Sequence, residues 1–287
     1  MRTLILGGTG MLGQAMAREG RRRGHAVLAL GRRQADVRDR AALAGAVSGF
    51  RPELVVNCAA FTQVDACEED PETAAAVNAE GAAHAAAAAA AGGARFVQVS
   101  TDYVFDGESE RPYREEEAPA PLSVYGRTKL AGERAALAHE GALAMRTSWL
   151  FGPGGGNFVA TIVRLIEEGE PLRVVADQVG CPTFTPYLSR ALWDLAALRV
   201  SGLLHYRNRD PVSWHGFATA IAGLAAPGVE VEAVPSAAMP RPARRPAYSV
   251  LDVGRVEALL GRAVEPWARG LGAYLSGIFD RGSLAQS

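Results

Sequence analysis

A glycine-rich turn constrains this chain more than any other stretch of its sequence. Three glycines with the spacing G-x-x-G-x-x-G lie between the apolar segment TLIL and a helical pattern. In such a turn the first glycine reverses the chain, the second lets backbone approach a pyrophosphate, and the third allows close helix packing. We therefore expect dinucleotide binding, with a tight βα turn without a ligand as the alternative. The predicted contacts are Gly7, Thr9, Gly10, Met11, Leu12 and Gly13.

The segments after the turn predict an α/β fold. Further apolar runs, each short enough for a buried strand, occupy residues 25–30, 53–60 and 95–100, and an alanine-rich helical pattern fills residues 72–91. Strands that alternate with helices are typical of a doubly wound parallel sheet of the Rossmann type. A further strand is predicted within residues 143–152.

The regular alternation ends near residue 152, and proline and arginine then become frequent. We therefore predict a nucleotide-binding Rossmann domain over residues 1–152. Residues 153–287 are predicted to form mainly a smaller C-terminal lobe that binds substrate. Residues 202–225 are candidates to return to the Rossmann sheet, because GLLHY at residues 202–206 has the pattern of a strand.

Composition excludes several classes of partner. The formal net charge of the 287 residues is −1, so there is no global positive field to hold nucleic acid or an anionic membrane. Cys58, Cys67 and Cys181 form no C-x-x-C pair, which favours reduced thiols. The first residues are too short for a signal-peptide core, and the alanine tract is too short to span a membrane. We expect a cytoplasmic protein.

The end of the second predicted strand favours NADPH over NADH. An NAD site usually has an acidic residue here that binds the ribose hydroxyls, but this chain has Arg32 and Arg33. Two guanidinium groups would attract a 2′-phosphate. Asp36 and Val37 could frame the adenine. Alternatively, Arg32 and Arg33 lie in a solvated turn without a ligand, and Asp36 caps a helix.

Lys129 is the only lysine in a chain with 30 basic residues. Residues four apart in a helix share a face, so Lys129 and Tyr125 can act on one small volume. A free tyrosine has a pKa of about 10, and a nearby positive charge favours its phenolate form. The alternative is that Tyr125 and Lys129 make only a surface contact without a catalytic role. A compact ammonium can also bond two ribose hydroxyls where a planar guanidinium would not fit.

These motifs together resemble one enzyme family. The glycine turn, STDYVFDG at residues 100–107 and YGRTK at residues 125–129 are similar to the extended short-chain dehydrogenase/reductase family. By that resemblance Thr101, Tyr125 and Lys129 are the catalytic residues. The resemblance also implies a Rossmann domain and a nucleotide-sugar substrate bound under the C-terminal lobe.

Longer strings sharpen the resemblance within that family. VNCAAFTQVDACE, PLSVYGRTKLAGE, RTSWLFG, GNFVAT, VVADQVGCPT and RPAYSVLD resemble, in this order, the members that reduce a dTDP-linked 4-keto-6-deoxyhexose. They imply hydride transfer from NADPH to C4 of the sugar, with dTDP-L-rhamnose as the product. Two alternatives stay open: another nucleotide-linked 4-keto-6-deoxyhexose reductase or epimerase, and a non-catalytic NADP-binding regulatory subunit. The intact catalytic set argues against the second.

The remaining predicted contacts flank these motifs. Tyr103 stands where related dehydratases have a glutamate that eliminates water, which favours reduction. Trp149 is expected in the sugar pocket, with a core tryptophan as the alternative, and Arg241, Arg244 and Ser249 are further candidates for the nucleotide side. The predicted substrate contacts are Asp102, Tyr103, Trp149, Asn157 and Arg245. The predicted cofactor contacts also include Ala59, Ala60, Thr62, Tyr125 and Lys129.

We expect no resident metal. The five histidines lack ligand spacing. Some members of the family dimerise through a magnesium site built on helix glutamates, but Gln14 and Ala15 occupy that position of the first helix here. A homodimer stays open.

Overall fold

The computed structural model describes residues 1–284, with side chains described as far as residue 278. The strands are β1 Arg2–Leu6, β2 Ala26–Leu30, β3 Leu54–Asn57, β4 Arg95–Thr101, β5 Leu143–Thr147, β6 Leu150–Phe151, β7 Leu172–Val175, β8 Val179–Gly180, β9 Thr183–Phe184, β10 Gly202–His205, β11 Val212–Ser213 and β12 Val231–Val234. The α-helices are α1 Met11–Arg22, α2 Arg40–Phe50, α3 Val64–Glu69, α4 Pro71–Ala75, α5 Gly81–Ala91, α6 Val124–Leu137, α7 Phe158–Glu167, α8 Thr185–Ala197, α9 Trp214–Ala225, α10 Gly254–Leu260 and α11 Trp267–Leu284.

The central element is a six-stranded parallel sheet with the order β10-β5-β4-β3-β1-β2. From β1 the chain goes to β2 on one side and to β3, β4 and β5 on the other. The strand order therefore reverses at β1, and the crevice outside the carboxyl ends of β1 and β3 is where such sheets bind ligands. This confirms the predicted α/β, doubly wound parallel sheet.

Both faces of the sheet are covered, which explains the continuous apolar runs in its strands. Ile5 faces one core together with Leu12 of α1 and Trp193 of α8. Its neighbours Leu4 and Leu6 face the opposite core with side chains of α2 and α5. Alternate residues of β1 thus serve opposite helix layers, as the pleat of a strand requires.

The alanine-rich segment is not the single helix that its pattern predicts. The structure divides it into α4, a π-helical stretch Ala76–Glu80 and α5. The extra residue of the π turn places Asn78 so that its side chain bonds the backbone nitrogen and oxygen of Phe61, at 2.8 and 3.1 Å. These two hydrogen bonds fix the segment that leaves β3, at the edge of the crevice.

The packing does not follow a single cut at residue 152. Leu188 and Trp193 of α8 and Leu204 of β10 share the core of Ile5, so these segments belong with the main sheet. A separate core, built from α7, α9, α11 and nearby strands, forms the lobe, and Phe217 of α9 lies in it. The division into 1–152 and 153–287 stays a proposal. Residues 285–287 lie outside the described part of the chain.

The contact between α1 and α8 depends on Gly20. A Cβ atom there would lie 2.2 Å from Cζ2 of Trp193. We expect Gly20→Ala to destabilise the protein by about 2 kcal/mol, because overpacking a rigid core shifts its side chains. Gly45→Ala is the matched control: Gly45 lies in α2 with open space around it, and alanine there stabilises by about 0.5–1 kcal/mol. Urea unfolding measures both, and equal effects would contradict the packing described.

Candidate active site

The glycine turn has the geometry of a phosphate cradle. Gly7 adopts a φ of 69°, which favours glycine, and its carbonyl accepts from the backbone N–H of Gly10 at 3.0 Å. A Cβ atom at Gly13 would lie 2.2 Å from that carbonyl oxygen. Gly10 offers no side-chain cap to α1, and no acid lies in the first turn. The start of α1 therefore fits the pyrophosphate of a dinucleotide.

A cleft of about 300 Å³ opens beside this turn. Several predicted cofactor contacts line it: Gly7, Thr9, Gly10, Arg32, Asp36, Val37, Ala59 and Ala60. The side chain of Leu12 instead lies in the core, Arg33 and Thr62 are exposed, and Met11 lies against the loop at Gly155. Cofactor contact stays a prediction for the residues that line the cleft as well as for these four.

Sequence reasoning missed five residues that also line the cleft: Ala35, Cys58, Phe61, Thr73 and Val77. Phe61 and Cys58 belong to the segment that leaves β3 toward the crevice. Their position directly after a buried strand is the signal that could have identified them. Val77 reaches the cleft through the π turn, which the alanine-rich pattern does not reveal.

Arginines neutralise the acid in the cleft. Asp36 accepts from Arg38 at 2.6 Å and pairs with Arg32 at 3.3 Å. The hydrogen bond from Arg38 is the main reason why the pKa of Asp36 lies well below its usual range, against the opposing effect of burial. Two arginines against one carboxylate leave a local excess of positive charge where the adenosine ribose is expected.

Two elements bring the predicted catalytic residues together. Thr101 ends β4, and Tyr125 and Lys129 lie one turn apart on α6, whose first turn is capped by the hydroxyl of Ser123. The Thr101 hydroxyl lies close enough to the phenol of Tyr125 to favour its charged form. Lys129 is only 3% exposed, and its ammonium donates to the Val99 carbonyl at 2.6 Å. This arrangement holds a proton donor and a cation beside the cleft.

The protein groups raise the pKa of Tyr125 rather than lowering it. Burial is the main cause, the negative charge of Asp102 adds to it, and the nearby Thr101 hydroxyl opposes it. Lys129 is not among the groups that shift this pKa in the protein without cofactor, and its ammonium donates to the Val99 carbonyl. That Lys129 lowers the pKa together with an oxidised nicotinamide stays a prediction. Burial also lowers the pKa of Lys129 to about 8, against the charge of Glu133. A neutral phenol suits a proton donor.

Asp102 directly follows Thr101, the predicted catalytic threonine. It is 2% exposed, and Oδ1 accepts from the Thr101 hydroxyl at 3.0 Å. Among the described residues Oδ2 has no partner with hydrogen-bond geometry. Burial raises the pKa of Asp102 to about 7, although the hydroxyls of Ser249 and Thr101 favour the charged form.

A second cavity, of about 530 Å³, lies between the lobe and the end of β4. Tyr103 and Arg245 line it, and the positive charge of Arg245 acts on the nearby phenol of Tyr103. Arg245 also donates to both carboxylate oxygens of Asp65, at 2.8 and 3.0 Å, and Arg241 lies 3.6 Å from the same carboxylate. The cavity thus presents two arginines that are fixed by one acid, a chemistry suited to a diphosphate.

Trp149 lies behind the cavity wall and not on it. Trp214 lines the cavity, and Trp149 stacks on it with ring centroids 3.5 Å apart. Trp149 has a φ of 46°, which is uncommon for a bulky residue. Its indole packs so closely on Gly180 that a Cβ atom at Gly180 would lie 2.5 Å from Cε2 of the ring. Sequence reasoning missed Trp214; a tryptophan at the start of a lobe helix was the available signal.

Other candidates for the nucleotide side have different surroundings. The Asn157 side chain caps α7 and bonds the carbonyl of Gly152 and the hydroxyl of Tyr274, at 3.1 and 2.9 Å. Its substrate contact stays a prediction, because these protein contacts occupy its amide. Ser249 is buried beside Asp102, and Arg244 is exposed away from the cavity lining.

Within residues 1–278, no cluster of three histidine, cysteine or acidic side chains is arranged to hold a metal ion. Gln14 donates to the carbonyls of Thr9 and Gly154, at 2.6 and 2.7 Å. No helix in the described part of the chain combines the length and apolar character needed to cross a membrane.

The parallel sheet, the glycine cradle at its crevice and the threonine, tyrosine and lysine beside it define an extended short-chain dehydrogenase/reductase. The family model described as "RmlD substrate binding domain" matches residues 1–278, and the chain belongs to that family.

Named relatives cover nearly the whole chain. A dTDP-4-dehydrorhamnose reductase of Streptomyces griseus is 44% identical over 94% of this chain and 91% of its own. A probable dTDP-4,6-dihydroxy-2-methyloxan-3-one 4-ketoreductase of Streptomyces antibioticus is 42% identical, over 89% and 88%. The crystal structure of dTDP-4-dehydrorhamnose reductase from Bacillus anthracis in complex with NADP is 34% identical, with a TM-score of 0.92 and coverage of 96% and 99%.

The raised pKa of Asp102 predicts a pH-dependent effect on stability. In the unfolded chain this carboxyl ionises near its ordinary pKa, so ionisation penalises the folded state progressively between pH 4 and 7 and fully above it. Asp102→Asn removes the penalty and should stabilise the protein by on the order of 2 kcal/mol at pH 8, and much less at pH 5. Urea unfolding at both pH values measures it; an equal effect at both would contradict the buried-acid account.

Proposed function

We propose that this protein uses NADPH to reduce the C4 keto group of dTDP-4-dehydro-L-rhamnose, giving dTDP-L-rhamnose. The observation that carries the proposal is the set of Thr101, Tyr125 and Lys129, which adjoins both cavities: Lys129 lies near Cys58 of the dinucleotide cleft, and Tyr125 packs on Tyr103 of the cavity with fixed arginines. The relatives that cover nearly the whole chain are named for this reaction or a similar ketone reduction. Regulatory NADP binding without catalysis would need no such proton donor.

The reaction requires a hydride and a proton on the same carbonyl. NADPH, when bound in the cleft, supplies the hydride to C4. Tyr125 donates the proton to the developing alkoxide, and the Thr101 hydroxyl bonds the same oxygen. Lys129 bonds the ribose hydroxyls of the cofactor, since Val99 holds its ammonium beside the cleft. The phenol, neutral over the physiological range because burial raises its pKa, has the proton to give.

The second cavity suits the rest of the substrate. Arg245 and Arg241 would bind the diphosphate, and Asp65 holds both in place. Trp214 offers an apolar wall for the sugar or base, supported from behind by Trp149. Tyr103 contributes a phenol and no acid, so the site has no second carboxylate after Asp102 for elimination of water.

Charge in the cofactor cleft supports a preference for NADPH over NADH. A 2′-phosphate placed near Asp36 would meet Arg32, which lines the cleft, while Arg38 neutralises the carboxylate. The hydroxyls of NADH would gain less from this excess of positive charge.

A second candidate substrate is another dTDP-linked 4-keto-6-deoxy sugar. The Streptomyces antibioticus relative, at 42% identity, is named for the reduction of a different 4-keto sugar. The cavity arginines recognise the diphosphate and do not distinguish such sugars.

A substrate and cofactor panel tests the proposal. Purified protein is incubated with dTDP-4-dehydro-L-rhamnose, its dTDP-4-keto epimers and GDP-4-keto sugars, with NADPH or NADH, and oxidation of the cofactor is followed by absorbance. We expect the highest kcat/KM with dTDP-4-dehydro-L-rhamnose and NADPH. Preference for another 4-keto sugar would support the second candidate, and tight NADPH binding without turnover on any sugar would indicate a binding module.

Tyr125→Phe removes the proton donor but keeps the ring. We expect kcat to fall by about 10²–10⁴-fold, the usual contribution of a general acid, while the Kd for NADPH changes little. Stopped-flow turnover and fluorescence titration of NADPH measure the two quantities. Arg127→Gln, on the exposed side of the same helix, is the control and should keep wild-type kcat. Retention of most activity by Tyr125→Phe would contradict the assigned role.

A further inference from the structure

A buried ion pair that the proposed mechanism does not use lies one helical turn beyond Lys129. Glu133 of α6 and Arg146 of β5 are each 2% exposed. The guanidinium of Arg146 donates to both carboxylate oxygens of Glu133, at 2.6 and 2.9 Å. Such a bidentate pair is geometrically specific, so the carboxylate has one fixed position.

The register of the sheet fixes this carboxylate further. Ser100 of β4, Arg146 of β5 and His205 of β10 are neighbours in adjacent strands. The Ser100 hydroxyl donates to Oε2 of Glu133 at 2.8 Å, and Arg146 also lies over the ring of Phe105, at 5.0 Å. Glu133 is therefore held from two strands, directly beside the residue that precedes Thr101.

Stability alone is a weak reason for this arrangement. A buried ion pair loses the hydration of both ions, and apolar residues of similar volume often stabilise a core as well or better. A second buried cation, Lys129, lies on α6 itself, four residues before Glu133. At this spacing an acid and a base share one face of a helix.

We infer that Glu133, fixed by Arg146 and Ser100, is a positioning residue that keeps the buried Lys129 in its ammonium form. The inference rests on the proposed function only where it concerns catalysis; the electrostatic part concerns the protein alone. Glu133 acts through Lys129 and touches neither substrate nor cofactor.

The electrostatics of the site agree with this geometry. Burial lowers the pKa of Lys129 to about 8, and the negative charge of Glu133 is the main opposing effect. Without Glu133, the effect of burial would lose its main opposing charge, and Lys129 would lose its proton at a lower pH. Of the titratable groups on the elements packed here, Glu133 and Cys58 are the ones that act on Lys129, and His205 lies against Arg146, with its Nε2 3.4 Å from Nη1.

The sequence offers a direct measurement, because Lys129 is the only lysine. Untagged protein labelled with [ε-¹³C]lysine gives one lysine signal, and its chemical shift against pH reports the pKa of Lys129 without an assignment experiment. Neither substrate nor turnover is needed.

Glu133→Gln removes the charge but keeps the shape. We expect the pKa of Lys129 to fall by about one in this variant. Glu133→Asp keeps the charge and should keep a pKa close to the wild-type value, although it disturbs the packing at least as much. Glu19→Gln is the matched control: Glu19 is also a mostly buried carboxylate paired with arginines, on α1, and its loss should leave the pKa of Lys129 unchanged.

An unchanged pKa of Lys129 in Glu133→Gln would overturn the inference, as would equal shifts in Glu133→Gln and Glu133→Asp. Should Glu133→Gln fail to fold, Arg146→Gln tests the same electrostatics with the opposite sign. Removing that positive charge should raise the pKa of Lys129, and a fall or no change would refute the inference.

Kinetics then connects the pKa to the reaction. In the wild type, kcat/KM for the keto sugar should decline above the pKa of Lys129, and in Glu133→Gln the decline should begin at a pH lower by the shift seen in the NMR titration. A shift in the NMR pKa with no shift in the kinetic profile would contradict the catalytic part. Absence of turnover in the wild type would overturn the proposed function and leave the NMR result to decide the electrostatic part.

Discussion

The close approach of α1 to the end of β1 is the contact on which the rest of the structure depends. The Gly7 carbonyl lies where a Cβ of Gly13 would be 2.2 Å away, so only glycine permits the two segments to meet. This contact places α1 against α8 and one face of the sheet, and it aims the uncapped start of the helix into the crevice beside β3. Fold and cofactor binding therefore depend on the same few atoms.

The charged groups that serve chemistry are buried around the ends of β4 and β5. Lys129, Glu133 and Arg146 alternate in sign and are each at most 3% exposed, and Asp102 lies close by behind the catalytic threonine. Burial opposes every one of these charges, and it shifts the pKa of Lys129 and Asp102 toward neutrality. A charge buried this deeply therefore depends on fixed neighbours of opposite sign, as Lys129 does on Glu133.

The sequence was sufficient for features that depend on local spacing. The glycine turn predicted the crevice, and the four-residue spacing of Tyr125 and Lys129 predicted their shared helix face; the resemblance to a family added Thr101. Features that depend on strand register were not accessible. The pair of Glu133 with Arg146 requires α6 to lie over β5, and the stack of Trp149 on Trp214 joins residues 65 positions apart. Neither partner carries a local signal of the other.

The central claim is that the cleft and the cavity place a hydride donor and a sugar ketone on either side of Tyr125. The most direct test uses [4-²H]NADPH of the transferable configuration with dTDP-4-dehydro-L-rhamnose, followed by NMR and mass spectrometry of the sugar product. The account predicts one deuterium, at C4, in a product that is dTDP-L-rhamnose. Oxidation of the cofactor with no deuterium in the sugar, or deuterium at another carbon, would contradict it.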